Sequence, residues 1–325
     1  MSKQQRMQVV AITAFGGPER LTLMEMPKPV PGPGEVLIRI QASGVGLWDV
    51  KVRRGQMGES SFPLVLGWES AGTIEQVGTN VTGFAVGEAV YGYVRQVGHY
   101  AEYVAAPASL VARRPHSIDA AHAAAIPISG LTAHQAITED LGLRAGETVL
   151  ITAAAGGTGT LAVQMATRLG AYVIATASAR NHHFLRMLGA QEVIDYTTTD
   201  FVQAVRAAHP AGVDVVLDCI GGETTRRSLD ALHDGGRLAH LTEAADLPLE
   251  RAITARPVYG RPDAHRLAVL TRMVDAGQLS VHLDRTLPLA AASEAHRLLE
   301  EGHVRGKMVL TIGEAPTPSK KGFFS

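Results

Sequence analysis

Cysteine is nearly missing from this chain: Cys219 is the only one among 325 residues. One thiol closes no internal disulfide, and it excludes a cysteine-built structural zinc lobe. An excess of charge is missing too, since 30 Lys and Arg face 31 Asp and Glu for a net charge of −1. No global field therefore draws the protein to nucleic acid or an anionic membrane, and neither is expected as a partner. No apolar run approaches the ~20 residues needed to cross a bilayer. The opening Met1–Val10 is polar and has no apolar core of signal-peptide length, so a cytoplasmic location is expected. What is present is an ordinary globular mixture, 46% hydrophobic and 19% charged, which excludes disorder as the main state. The length suits two domains better than one core.

Up to about residue 120 the pattern is short and β-like. Val36–Ile40, Ser70–Ile74 and Tyr100–Val104 read as strands punctuated by turns at Pro31–Gly34 and Val86–Glu88. From Ala120 the pattern changes. An alanine-rich segment leads to Pro127 and a helix expected over Leu131–Leu141. Apolar runs then alternate with helical segments: Val149–Ile151, Tyr172–Ala175, Glu192–Ile194, Val213–Leu217 and Arg237–Leu241. Helices are expected between them at Gly159–Leu169, Asn181–Leu188, Phe201–Ala208 and Thr224–Leu232. Such alternation predicts a parallel sheet wound on both faces, whose strands are apolar because both sides are covered. After about Arg261 the alternation stops. A helix over Ala264–Ala276, an extended Val281–Leu289, a helix over Ala291–Glu300 and a strand over Met308–Ile312 follow, and the tail beyond Gly313 is expected to be disordered.

The strongest chemical feature is the run from Thr152 through Ala153, Ala154, Ala155, Gly156, Gly157 and Thr158 to Gly159, which follows a strand and opens a helix. A small residue at Ala154 permits the tight turn. Gly156 lets backbone approach a pyrophosphate, and Gly159 lets the helix pack on the strand. Free N–H groups at the helix start hold the anion. An Asp or Glu at the end of the second strand would bind an NAD ribose, but the chain there runs Ala175–Asn181 with no acid. Ser178 and Arg180 are candidates for a 2′-phosphate instead, which points to NADPH.

With these residues in hand, the chain resembles the medium-chain dehydrogenase/reductase superfamily, in its zinc-independent quinone oxidoreductase (zeta-crystallin-like) branch. The resemblance runs from about Val9 to Ile312. It rests on Pro31–Ile38, Leu66–Gly72, Val81–Gly87, Ala125–Ala133, the Ala-Ala-Gly-Gly-Thr-Gly loop and Gly306–Leu310. It implies an α/β fold: a GroES-like, mostly-β catalytic domain plus a doubly wound parallel-sheet Rossmann domain, with the active site between them. The expected division is a catalytic segment over 1–122, a Rossmann domain over 123–261, and a returning catalytic segment over 262–325.

Zinc-dependent members hold metal with a Cys in the segment matching Gly44–Asp49 and a His in a Gly-His-Glu motif. This chain has Gly46 and Trp68 there, and neither offers a lone pair comparable to thiolate or imidazole. No metal is expected. Quinone oxidoreductases often carry an Asn and a Tyr where this chain has Gly46 and Lys51, so that pair does not transfer. Lys51, Tyr91, Tyr93 and Ser129 remain as catalytic candidates, because a proton donor must be an acid within reach of the substrate. The resemblance further implies that Ser129 and Thr132 reach the nicotinamide end of the cofactor and Tyr196 the adenosine phosphate. Ala154, Ala155, Gly156, Gly157, Thr158, Gly159, Thr160, Cys219, Leu241 and Lys307 complete the expected cofactor set. Cys219 itself is most simply a small filler. Gly46, Trp48, Phe62 and Tyr259 are expected to shape an apolar substrate pocket.

The leading expectation is an NADPH-dependent reductase of quinones or carbonyl-activated C=C bonds in enones, alkenals or enoyl thioesters, working as a homodimer on a small apolar acceptor. The alternatives are an alcohol or aldehyde dehydrogenase of the same superfamily and a non-catalytic, crystallin-like NADPH-binding protein.

Overall fold

The computed structural model describes residues 5–94, 96–242, 247, 249 and 251–313, so the tail beyond Gly313 lies outside the described residues. A six-stranded sheet runs in the order Glu192–Ile194, Tyr172–Thr176, Thr148–Ile151, Val213–Asp218, Leu232–His240, Thr254–Pro257. Every pairing in it is parallel. Taken in chain sequence this is order 3-2-1-4-5-6, the doubly wound arrangement whose ligand crevice opens where strands 1 and 4 part. Helices Gly157–Arg168, His182–Met187, Phe201–Ala208 and Glu223–Ala231 connect the strands, each within two residues of its expected place.

A seven-stranded sheet carries Leu283–Pro288, Lys307–Thr311, Glu35–Val45, Glu69–Val77, Ala89–Tyr93 and Val111–Arg113 in that order, with Tyr103–Pro107 paired to Glu35–Val45. It is antiparallel except where Leu283–Pro288 meets Lys307–Thr311. The chain thus returns at its end to a sheet it began near its start. Arg6–Ile12, Thr22–Pro27 and Leu64–Val65 form a third, smaller sheet.

Several elements differ from expectation: the strand expected over Tyr100–Val104 lies at Tyr103–Pro107, and the one expected from Arg237 begins at Leu232. The helix expected from Leu131 starts earlier, at Pro127, and runs to Gln135 before widening into a π turn over Ala136–Asp140. Pro127 lacks the N–H that a first helical residue leaves unpaired anyway. The next orphan donor, Ile128 N–H, is taken at 2.7 Å by the carboxylate of Glu69 from another strand. The strand Thr254–Pro257 was not foreseen, because an edge strand needs no apolar run and tolerates proline.

One apolar cluster spans both large sheets. It takes Ala42, Ala71 and Ala112 from the seven-stranded sheet, Val149 and Ile151 from the parallel one, and Ala123–Ala125, Ile126 and Leu131 between them. Small alanines let the layers approach, while Ile126 and Leu131, both fully buried, each contribute about 1.5–3 kcal/mol. This packing fixes the two sheets and therefore the cleft along their junction. Among the described residues no helix is long and apolar enough to cross a membrane.

Candidate active site

The glycine loop sits at the carboxyl end of strand Thr148–Ile151 and leads into helix Gly157–Arg168. Gly159 packs against the turn itself: a Cβ there would lie 2.6 Å from Ala153 O and 2.7 Å from Ala154 Cα. Gly157 is hemmed from the other side, since its Cβ would lie 2.8 Å from Lys307 Cδ and 2.9 Å from Ser129 Oγ. Gly306 forms a parallel bridge with Gly156, and its N–H donates to Ala155 O at 2.8 Å. The loop is therefore held between the returning strand and helix Pro127–Gln135. Across the crevice, buried Asp218 accepts from Thr152 Oγ1 at 2.5 Å, Ile220 N at 3.1 Å and Gly221 N at 2.9 Å, tying both sides of the switch point together. Cys219 packs partly buried on the main core, and burial pushes its thiol well above the ordinary range, which suits a filler.

A cavity of about 720 Å³ opens beside this loop. Helix Leu47–Arg53 and the turn after it supply Trp48, Lys51, Gln56 and Met57, and the seven-stranded sheet supplies Tyr93 with Trp68 just before it. Helix Pro127–Gln135 gives Ile128 and Thr132. Leu241, Thr242, Tyr259 and Gly260 follow the carboxyl ends of the parallel strands. That one helix turns Ser129 toward the glycine loop and Ile128 and Thr132 toward the cavity, so it joins the two sites.

Expected residues found elsewhere are Tyr91, Phe62 and Gly46. Tyr91 is fully buried, its hydroxyl donating to Leu267 O at 2.8 Å and lying 3.0 Å from Thr271 Oγ1. It shares a strand face with Tyr93, but helix Ala264–Asp275 covers it and leaves Tyr93 at the cavity. Phe62 packs edge-on against Phe15 at 5.0 Å, outside the cavity wall. Gly46 precedes helix Leu47–Arg53 and gives its N–H to Asp49 Oδ2 at 2.9 Å.

Lys307 also differs from expectation. Its methylenes lie on Gly157, but Nζ ends 2.6 Å from Glu69 Oε1 in a buried pair. Glu69 thereby joins the returning strand to the start of helix Pro127–Gln135. Nearby Asp49 takes Gly67 N–H at 3.0 Å with its second oxygen. Burial raises its carboxyl to about 7, against the lowering effect of its N–H donors and Lys307.

At the end of strand Tyr172–Thr176 a second pocket, of about 420 Å³, gathers Arg180, Arg285, Arg305, His282 and His303, with Asp284 and Glu301 at the same wall. Arg180 donates to His303 O at 2.7 Å, and Arg305 Nε donates to Asn181 Oδ1 at 2.8 Å. Residues 302–307 thus line this basic pocket at one end and touch the glycine loop at the other. Arg285 and Arg305 were not singled out in the sequence. Ser178 lies half-buried before this turn and Tyr196 is exposed beyond the next strand.

Comparison with known proteins gives this geometry its family. Residues 32–116 match the alcohol dehydrogenase GroES-like domain, and residues 188–310 match the zinc-binding dehydrogenase family. A chloroplast envelope quinone oxidoreductase homolog from Arabidopsis thaliana is 31% identical over 91% of this chain and 95% of its own. A 2-haloacrylate reductase from a Burkholderia species is 34% identical over 91% of this chain and 96% of its own. The chain belongs to the medium-chain dehydrogenase/reductase superfamily, in its zinc-independent quinone oxidoreductase branch. The Escherichia coli quinone oxidoreductase complexed with NADPH superposes with a TM-score of 0.87 at 27% identity, covering 94% of this chain and 99% of that one. This quinone oxidoreductase relative is thus an oxidoreductase of a pyridine-nucleotide-binding family. The zinc in one family's description does not fit these residues. Trp68 and Gly46 offer no ligand, Asp49 is engaged by two backbone N–H groups, and no group of three metal-binding side chains occurs among the described residues.

Proposed function

We propose that this oxidoreductase uses NADPH to reduce quinones or C=C bonds conjugated to a carbonyl, without metal. The observation that carries the reading is the cavity itself. Its walls are mostly aromatic and aliphatic with a few polar groups, it adjoins the glycine loop through a single helix, and tryptophan stands where a metal ligand would. The loop Thr152–Gly159 and Gly306 fit a pyrophosphate, and Arg180 and Arg305 fit a 2′-phosphate, which planar guanidinium groups bind well. When bound, the cofactor supplies the hydride. Trp48, Trp68 and Tyr259 hold a flat conjugated acceptor and exclude water from one face. Reduction at an electron-poor carbon would leave the developing charge on the carbonyl oxygen. Tyr93 and Thr132 are the wall donors we assign to that oxygen, a task that needs preorganised hydrogen bonds and not a Lewis acid. A proton from an acidic side chain or water completes the reduction, and Lys51, Tyr93 and Ser129 are the remaining candidates.

The test is consumption of NADPH with 1,4-naphthoquinone, a 2-alkenal and a simple ketone, alongside oxidation of primary and secondary alcohols by NADP⁺. Turnover of the conjugated acceptors with silence on alcohols is expected, and turnover of alcohols alone overturns the reading. Cofactor choice has its own measurement. Arg180→Ala and Arg305→Ala should each weaken NADPH about ten- to a hundredfold, the loss of about 1.5–3 kcal/mol from a charged hydrogen bond. NADH should change little. Equal losses for both cofactors would remove these arginines from 2′-phosphate binding.

A further inference from the structure

Among the described residues Lys51 is the only charged side chain on the cavity wall, where the others that line it are neutral. It is half-buried, and its Nζ lies 5.0 Å from the centroid of the Trp48 ring, another wall residue. That ring is its one recorded partner among the described residues. Several other cations with little exposure are matched by acids: Lys28 with Glu75, Arg237 with Glu147, Arg266 with Glu139 and Lys307 with Glu69. Among the described residues Lys51 stands without a carboxylate at the wall of a largely apolar, aromatic cavity. A ring face satisfies part of an ammonium's field but leaves its N–H donors open, and low-dielectric walls focus that field on whatever enters.

Resting on the reductase reading above, we infer that this cavity selects conjugated acceptors carrying a negative charge of their own, a carboxylate or an equivalent anion, which Lys51 pairs with. The aromatic walls hold the conjugated part and the lysine holds the anion at one end. Lys51 then acts as a specificity residue that orients the acceptor, a role separate from giving the proton.

A matched substrate pair tests this: trans-4-oxo-2-pentenoate and its methyl ester, two enones that differ by one charge. At pH 7 and low salt, kcat/KM for the acid should exceed that for the ester by about tenfold or more, the scale of one charge-assisted hydrogen bond. Lys51→Met should collapse that ratio toward one and Lys51→Arg should keep it within a few fold. Added salt should shrink it in the wild type, as screening requires. If turnover of the pair is slow, the saturated acid 4-oxopentanoate and its methyl ester, as inhibitors of naphthoquinone reduction, read the same preference. A wild-type ratio of one or less overturns the inference. So does a parallel loss on acid and ester in Lys51→Met, the mark of a proton donor or a structural residue. Failure of the underlying reading looks different, because then no acceptor, charged or neutral, consumes NADPH.

Discussion

Replacing Lys307 by methionine is expected to lower the stability of the protein by about 3–5 kcal/mol, the usual result of leaving one partner of a buried ion pair without its mate. Glu69 is 1% exposed, and among the described residues Lys307 Nζ at 2.6 Å is the only cation that meets it. Its other oxygen is engaged by Ile128 N–H, so the carboxylate cannot turn away without unpairing the helix start. The shift of the urea midpoint measures the loss. Combining Lys307→Met with Glu69→Gln should recover part of it, because no unpaired charge then stays buried, and Gln still accepts from Ile128. A single-variant loss below about 1 kcal/mol would show the pair to be solvated and unimportant.

Mild acid should destabilise the protein as well, through two buried histidines. Burial lowers both His99 and His296 to about 3, with the Arg53 charge adding to the effect at His296. Below the ordinary histidine value of about 6.5 the unfolded chain takes up protons that the native state refuses. Stability therefore falls as pH drops through that window, by about 2 kcal/mol per histidine between pH 6.5 and 5. Asp49 works the other way. Its carboxyl, raised to about 7, stays protonated in the native state while the unfolded carboxyl is ionised, so acidification through the same window favours folding. For these three groups the net loss is about 1.5 kcal/mol, visible as an unfolding midpoint that falls steadily from pH 6.5 to 5. His99→Gln should flatten that dependence. An unchanged slope in the variant, or a wild type that gains stability on acidification, would mean that these rings titrate normally.

Much of the parallel sheet was legible in the sequence because strands covered on both faces must be apolar throughout, so runs such as Val213–Leu217 announce themselves. Thr254–Pro257 escaped notice because it lies at the edge and is free of that demand. The glycine loop was legible because its backbone geometry restricts residue type. The cavity residues Trp48, Lys51, Tyr93 and Tyr259 came into view through resemblance, while Tyr91 did not sort correctly. It has the same strand face as Tyr93, and only a helix arriving more than 170 residues later separates their fates. The Glu69–Lys307 pair, 238 residues apart, and the meeting of Arg180 with Arg305 leave no local signature at all. Such partners are set by the packing of distant segments and are invisible to periodicity.

The place of Lys307–Thr311 in the seven-stranded sheet has a consequence for biosynthesis. This strand lies between Leu283–Pro288 and Glu35–Val45, inside the sheet and not at its rim. During translation Glu35–Val45 emerges early, and although Tyr103–Pro107 soon covers its Glu35–Arg39 half, the Ala42–Val45 half of that edge has no partner until residues 307–311 leave the ribosome. By then the intervening parallel sheet has all of its strands available to it. The nascent chain therefore carries an unfinished β edge through most of its synthesis, an exposure of the kind that invites pairing with other chains or a holding chaperone. Completion of the seven-stranded sheet waits on Lys307–Thr311, and the segment leading into that strand, through Gly306, closes on the glycine loop. The glycine loop thereby gains its last neighbour only after the whole parallel sheet has been made.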